Sequence, residues 1–579
     1  MLTAVFAGVV GSLVLWAGAA ITAVLSGHPV PHVNPVTGIL ALAEHGGNPA
    51  AAWGQPVGPT WLYWTSTASV IVVLAAAGAA GWRMSTRSKT ARTHDPRRIQ
   101  GLASRAEVAK VAGAKALISR AGDLRPSLAH PQVTDLGHRL GSARGVDCYA
   151  SVEDSVVLLG PPRSGKGVHI VINAILDAPG AVITTSTRPD NLTAALQARA
   201  KVGPVAVFDP QRLAPGIPSA TRWSPIRGCE NPQTAMIRAK ALTAGAASGT
   251  TDSNFWQSSA EQAVRALLHA AALGDRTSAD LYRWSLSAAQ AREAVMILAT
   301  HPQAAQSWHQ GLETIVGADQ KQRDSVWAMV AIAFAALADP AVLDAVSPGP
   351  GEQFDPQTFL QKRGTVFLVG TSTGASATAG LVGALVEDVA EAARRLAAAS
   401  PGARIDPPLS MILDEAANYP LPSLTSLMSE GGGTGITTMV VLQSLAQARA
   451  VWGEHEASAI WDAASVKLIL GGGSNARDLD DLSKLIGQRE ERAYSESIGA
   501  DGRRSSSSSS REVPVMDTSR LRMLPFGTAV LMLRAARPIV LTMTPWTQRP
   551  DAAQLQGSRR RLEGVIERAS SPAFEPLVS

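Results

Sequence analysis

The sequence predicts an α/β protein: a P-loop NTPase domain built on a parallel sheet, with an inserted all-α domain, preceded by two transmembrane helices. Three observations carry that prediction. The apolar run Val156 to Leu159 breaks into Gly160-Pro161-Pro162-Arg163-Ser164-Gly165-Lys166-Gly167 and then into a helical run from Val168 to Leu176. The apolar run Leu409 to Leu413 ends in two adjacent carboxylates, Asp414 and Glu415. Two long charge-free stretches lie near the N-terminus, and Lys and Arg begin only after the second.

Taken in order, residues 5–25 carry no charge and reach the ~20 residues a spanning helix needs. Residues 61–82 do the same, with Trp61, Tyr63, Trp64 and Trp82 placed at the ends like interfacial aromatics. A cleaved signal peptide is the alternative for the first stretch, but no Lys or Arg precedes it. Arg83, Arg87, Lys89, Arg92, Arg97 and Arg98 follow the second stretch. The positive-inside rule therefore puts the loop 26–60 outside and everything from Arg83 onward in the cytoplasm, which predicts a multi-pass inner-membrane protein with a cytoplasmic bulk. Residues 83–150 are expected to form a basic cytoplasmic juxtamembrane segment, of which Arg83 to Arg125 is expected to rest on anionic headgroups, where each Lys or Arg contributes about 1 kcal/mol, in preference to contacting DNA.

From residue 151 the pattern alternates. Strands are expected at Val156 to Leu159, Ala181 to Thr185 and Val205 to Phe208, with helical stretches between, which means a parallel sheet covered on both faces. This first part of the nucleotide-binding domain runs to residue 231. Residues 232–347 show helical periodicity only, as in Phe255, Trp256, Ala260, Val264, Leu267, Leu268 and Ala271. Ser253, Ser278, Ser287, Asp319 and Asp339 are the expected N-caps. The second part, 348–549, resumes the sheet at Thr365 to Val369 and continues through Leu409 to Leu413, Thr437 to Leu442 and Val466 to Leu470. Ser505 to Ser510 sit in a polar stretch, 496–511, that is expected to be a disordered loop. Thr528 to Leu533 and Ile539 to Met543 read as a hairpin added to the sheet edge. The basic tail 550–579 carries Arg559, Arg560 and Arg561 on an exposed helix.

The loop spacing G-x-x-x-x-G-K assigns the phosphates of ATP to Gly160 through Gly167, with consecutive N–H groups wrapping them and Lys166 reaching the terminal ones. Gly167 stands where Ser or Thr normally meets magnesium. Asp414 is then the residue expected to hold Mg2+, Glu415 to polarise the attacking water, and Gln443, after its strand, to sense the γ-phosphate. Composition bounds the remaining chemistry. Two cysteines, Cys148 and Cys229, cannot build a disulfide framework, and the scattered histidines have no metal-ligand spacing. A net charge of +5 permits nucleic acid or an anionic membrane as partner.

These motifs resemble those of the type IV secretion coupling proteins, the VirD4/TraG family of conjugative DNA-transfer ATPases. The phosphate loop shares that family's Gly at position 167. Ile412-Leu413-Asp414-Glu415-Ala416-Ala417-Asn418 is similar to its second motif and Leu442-Gln443-Ser444-Leu445 to its third. Val207-Phe208-Asp209-Pro210, Ile460-Trp461-Asp462 and Leu482-Ser483-Lys484-Leu485-Ile486-Gly487 have its look. The resemblance covers roughly residues 150–490. It implies a RecA-like motor assembled as a homo-hexamer, which meets single-stranded DNA carrying a relaxase, an accessory relaxosome protein, and the components of the secretion channel. Two departures stand out. The family's D-x-K after the second strand is replaced by Thr185-Ser186-Thr187-Arg188-Pro189-Asp190, and its Gly-Arg before the Gln strand by Gly431-Gly432-Gly433-Thr434-Gly435. With that arginine missing, Arg477 and Arg188 are the candidates for a trans-acting cation. An FtsK-type double-stranded DNA translocase shares the anchor and motor, but no C-terminal winged-helix reader is recognisable. A motor or docking platform for secreted proteins is the third reading, and the cargo-facing helical domain has no motif to separate it from the first.

Overall fold

The computed structural model describes residues 2–45, 47–217, 220–244, 253–371, 378–498 and 504–570. The chain divides into two compact units, Met1–Arg98 and Ile99–Ser579.

In the first unit, two helices are long and apolar enough to cross a membrane, over Gly8–Leu25 (mean hydropathy 2.0) and Thr60–Ala79 (mean hydropathy 1.6). They pack closely: a Cβ on Gly18 would collide with Thr67, and the Tyr63 hydroxyl donates to Leu15 O at 3.2 Å. The segment between them is folded. Its helices Gly38–Glu44 and Pro49–Ala52 bury Leu42, Ala52 and Trp53 with Ala19 and Tyr63. The second helix does not stop at Trp82 but runs on to His94.

The second unit is built on a sheet that begins before the loop 160–167. Its described residues form thirteen strands: β1 (Gly137–Ala143), β2 (Val146–Ser151), β3 (Val156–Leu159), β4 (Val182–Ser186), β5 (Val205–Phe208), β6 (Thr365–Val369), β7 (Leu409–Leu413), β8 (Ile436–Leu442), β9 (Val466–Leu470), β10 (Gln488–Ile498), β11 (Arg504–Pro514), β12 (Thr528–Leu533) and β13 (Ile539–Thr542). Eleven of them form one sheet in the order β2-β1-β13-β12-β9-β3-β8-β7-β4-β6-β5. From β9 to β5 the strands are parallel, and β12, β13, β1 and β2 continue antiparallel. Alternate side chains of β3 enter opposite cores: Val157 and Leu159 one, Val156 and Leu158 the other. That double burial explains the continuous apolar runs of the central strands.

Four expectations are corrected. The basic segment 83–150 holds β1 and β2, a hairpin turned by Arg144 and Gly145, both at positive φ as a tight two-residue turn requires. Its charged, glycine-containing strands lack the apolar run that marks the others. Consequently the β12–β13 hairpin lies inside the sheet and not at its edge. The serine run is not a loop but half of a ribbon, in which β10 pairs β11 antiparallel from Gln488 opposite Pro514 to Ile498 opposite Arg504. Backbone pairing carries that ladder; residues 499–503 of the expected loop lie outside those described. The C-terminal helix Ala552–Ser570 is half-buried, with Leu555 packed on Ile172, Ala194 and Trp546, and residues 571–579 lie outside the description.

Within 232–347 the described residues form seven α-helices and no strand: Pro232–Thr243, Ser253–Leu273, Ser278–Ser285, Arg292–Thr300, Trp308–Val316, Gln320–Phe334 and Pro340–Ala345. Val264, Leu267, Leu268 and Ala271 are buried as their spacing predicts, whereas Phe255 is exposed. Asp319 and Asp339 cap their helices through Gln322 N and Ala341 N. Thr277 takes the role expected of Ser278, the helix expected at Ser287 starts at Arg292 after Ala291, and the cap position before Ser253 lies outside the described residues. This helical part is tied to the sheet by a buried polar triad. Arg238 Nη2 pairs with Asp388 Oδ1 at 2.7 Å, and Trp223 Nε1 donates to Asp388 Oδ2 at 3.0 Å. Removing one member of a buried pair strands the other charge, so Asp388→Ala is expected to cost about 3–5 kcal/mol. A denaturant-unfolding midpoint left unchanged would show that the triad contributes little.

Candidate functional site

The parallel strands converge at their carboxyl ends, where an open α/β sheet binds ligands. β3 sits between β8 and β9 with Leu159 opposite both Leu442 and Ile469, and Gly160 N donates to Leu442 O at 3.0 Å. The loop that follows is self-braced. Ser164 Oγ donates to Pro161 O at 2.7 Å, and Arg163 and Gly165 take φ of 64° and 89°. Gly165 has a second reason to be glycine, since a Cβ there would lie 2.6 Å from His169 Nδ1. The helix begins with a widened π turn over Gly167–Val171 and continues as Ile172–Asp177. A Cβ on Gly167 would meet nothing within 4 Å, so its missing hydroxyl is not a matter of space.

Lys166 Nζ folds onto the loop's own carbonyls, at 2.5 Å from Gly160 O and 3.2 Å from Pro161 O. Burial pushes its ammonium below its ordinary pKa, while the charges of Asp414 and Glu415 pull it back up. Those carboxylates stand at the end of β7, one strand beyond β8. Burial raises Asp414 to about 6 and the Glu415 charge adds to this; a 3.2 Å hydrogen bond from Asn191 Nδ2 and the charge of Lys166 oppose it. Glu415 turns back at φ 52°, which brings its carboxylate to the Thr187 hydroxyl and to Asn418 Nδ2 at 3.2 Å. Gln443 follows β8 half-buried, between the loop strand and the carboxylate strand.

The structure thus brings Lys166, Asp414, Glu415 and Gln443 to one crevice with the loop 160–167. Thr187 and Asn191 are the residues sequence reasoning missed. They occupy the stretch where D-x-K is absent, and they supply neutral hydrogen bonds to the two carboxylates in its place. Asp478 was missed as well: buried, it accepts from Leu445 N at 3.1 Å and from Arg449 Nη2 at 2.5 Å, which fixes the helix Leu445–Ala463 just past Gln443. Gly431 and Gly432 end a helix, Leu424–Thr434, where a Cβ on Gly432 would strike the Glu153 carbonyl. Close backbone approach therefore accounts for Gly431 and Gly432, whereas a Cβ on Gly433 would meet nothing within 4 Å. Arg188 and Arg477 are exposed on opposite flanks, 3.6 Å from Asp190 and 3.0 Å from Glu454 respectively.

The donor set fits a magnesium-bound nucleoside triphosphate: an ammonium, a loop of N–H groups leading into a helix N-terminus, and a buried carboxylate facing them. Residues 408–526, which run from β7 past the ribbon, match the family model described as the TraM recognition site of TraD and TraG. The unbound monoclinic form of the bacterial conjugative coupling protein TrwBdeltaN70 superposes with a TM-score of 0.54 at 17% identity, covering 70% of this chain and 88% of that one. TrwB with the non-hydrolysable GTP analogue GDPNP gives 0.52 at 17% identity, covering 73% and 92%. TrwB with ADP and Mg2+ gives 0.50 at 16% identity, covering 74% and 93%. No curated protein matches the chain. The likeness to VirD4/TraG-type coupling proteins read from the motifs is therefore present in the fold and in the matched stretch, and the fold is RecA-like with an all-α part.

The crevice's electrostatics can be measured without ligand. Since the folded pKa of Asp414, about 6, lies above its ordinary 3.8, the stability from its protonated form is complete below pH 3.8 and lost as pH rises through 6. Asp414→Asn removes the buried charge. It is expected to stabilise the nucleotide-free protein at pH 8 by on the order of 2–3 kcal/mol and to change little near pH 4. Equal unfolding midpoints for the two proteins at pH 8 would contradict a raised pKa.

Proposed function

We propose that the chain is a membrane-anchored ATPase, the coupling protein of a conjugative type IV secretion system, which recruits relaxase-bound single-stranded DNA and drives or gates its transfer. The observation that carries this reading is the crevice itself, where Lys166 faces Asp414 and Glu415 inside a fold shared with TrwB. TrwB's complexes with GDPNP and with ADP and Mg2+ support nucleotide and magnesium use here. The match of 408–526 to a TraM recognition site supports contact with an accessory relaxosome protein. The two apolar helices support anchoring in the cell membrane, with the bulk on the cytoplasmic side.

Magnesium and ATP, when bound, supply the electrophilic phosphoryl group. Gly160, Pro161, Pro162, Arg163, Ser164, Gly165, Lys166 and Gly167 would hold the phosphates, with Lys166 exchanging its loop carbonyls for them. Asp414 would hold the metal, and its burial makes that carboxylate costly to ionise without a cation. Glu415, oriented by Thr187 and Asn418, would polarise the attacking water, and Gln443 would sense the γ-phosphate. Such a site leaves charge on the γ-phosphate that a neighbouring subunit's arginine can compensate, an effect of about 10³ to 10⁵ in rate. Exposed Arg477 is the proposed cation within a homo-hexamer, and channel components are the downstream partners.

Lys166→Ala is expected to lower ATP hydrolysis by about 10²- to 10³-fold while the protein stays folded and membrane-bound. Hydrolysis at the wild-type rate would remove the phosphate-loop assignment. Glu415→Gln is expected to keep nucleotide affinity and to slow turnover by about 10²- to 10⁴-fold; loss of binding would mean that Glu415 shapes the pocket instead. Arg477→Ala subunits mixed with Lys166→Ala subunits are expected to recover part of the activity that each lacks alone. Normal turnover by an Arg477→Ala homomer would end that role.

A further inference from the structure

The crevice has an apolar wall that the phosphate chemistry does not use. Leu524-Pro525-Phe526-Gly527 leads into β12, which runs antiparallel to β9 with Ala529 opposite Leu470. The segment therefore lies at the same end of the sheet as Gly160. It is pinned there by backbone: Gly472 N donates to Arg522 O at 2.9 Å, and a Cβ on Gly471 would strike the Leu524 carbonyl. The same glycine turn touches the phosphate loop, since a Cβ on Gly472 would lie 3.1 Å from Pro161 Cγ.

Phe526 is the side chain this arrangement delivers. Its ring stands 4.9 Å from the His169 ring at an interplanar angle of 69°, an edge-to-face pair. A Cβ on Gly165 would come within 2.8 Å of Phe526 Cε2, so the phenyl ring reaches the loop itself. His169 is buried, and its Nδ1 lies 3.0 Å from Gly165 O, so the ring on which Phe526 leans is fixed. Yet Phe526 is 71% exposed. A large apolar ring is thus held against an anion-binding loop with most of its surface in water.

The direction of the nucleotide explains it. The terminal phosphate must face Asp414, Glu415 and Gln443, which end β7 and β8 on one side of β3. The nucleoside then leaves the loop on the other side, toward β9 and β12, where Phe526 stands. We propose that Phe526 is the stacking platform for the base of the bound nucleoside triphosphate, a proposal that rests on the phosphate-loop reading. A platform of this kind reads the π face of a base and not its hydrogen-bonding edge, so ATP and GTP depend on it alike.

The test is calorimetric titration of the full chain, purified in detergent, with magnesium and ATP, GTP or inorganic tripolyphosphate. Phe526→Ala is expected to weaken ATP and GTP by roughly five- to a hundredfold, the range for losing one base–aromatic stack, and to leave tripolyphosphate unchanged. Phe526→Trp, which keeps a flat aromatic face, is expected to restore both nucleotides. ATP bound by Phe526→Ala at wild-type strength would overturn the proposal. So would a parallel loss of ATP and tripolyphosphate, which would mean that the ring only shapes the loop. Wild-type protein that bound neither ligand would overturn the phosphate-loop reading, and the platform with it.

Discussion

The crevice depends on one constraint: β3 has a parallel neighbour on each edge and a core on each face, so its four residues have no freedom to shift. The hydrogen bond from Gly160 N to Leu442 O extends that grip one residue into the phosphate loop. A slip of one residue would exchange Val157 and Leu159 for Val156 and Leu158 between the two cores. The loop, the carboxylates two strands away and Gln443 between them are in register because the ladder is.

That constraint also explains what was legible in the sequence. Strands buried on both faces must be largely apolar, so β3, β5, β6, β7, β8 and β9 could be read as runs despite Ser410, Thr437, Thr438 and Lys467 within them, and the polar residues that end them as the site. β1 and β2 add a hairpin to the antiparallel side and carry His138, Arg139 and Asp147, which gives no such run. The β10–β11 ribbon belongs to neither core, so its serines carried a composition signal for disorder and none for pairing. Thr187 and Asn191 escaped notice for a different reason. Their roles come from lying beside Glu415 and Asp414, more than two hundred positions away in sequence, and no local pattern encodes that meeting. Phe526 is hidden in the same way, since only its placement against Gly165 and His169 separates it from any loop phenylalanine.

The crevice balances its charges loosely while it lacks a ligand. Among the described residues, Lys166 is satisfied by carbonyls and not by a salt bridge, and Asp414 receives hydrogen bonds from the Asn191 amide and the Glu415 backbone and no direct cation. Both groups are consequently held away from their ordinary ionisation, in opposite directions. A tight Lys–Asp pair would be more stable but would have to be broken before anything could bind. Replacing D-x-K by Thr187 and Asn191 fits this arrangement, because neutral donors orient the carboxylates without neutralising them.

The ribbon also bears on how the molecule avoids edge-to-edge strand aggregation. Among the described residues β10 pairs only β11, so two strands of eleven residues each present an outer row of backbone groups to water. Rows of that kind invite extra strands from other copies, and a ribbon rich in Val or Ile would seed fibrils or precipitates. Here the strands carry Glu490, Glu491, Arg492, Arg511 and Glu512 near the base and an unbroken serine tract beyond. With so few apolar residues to exclude water between stacked copies, the ribbon can be long without offering a strong template for added strands.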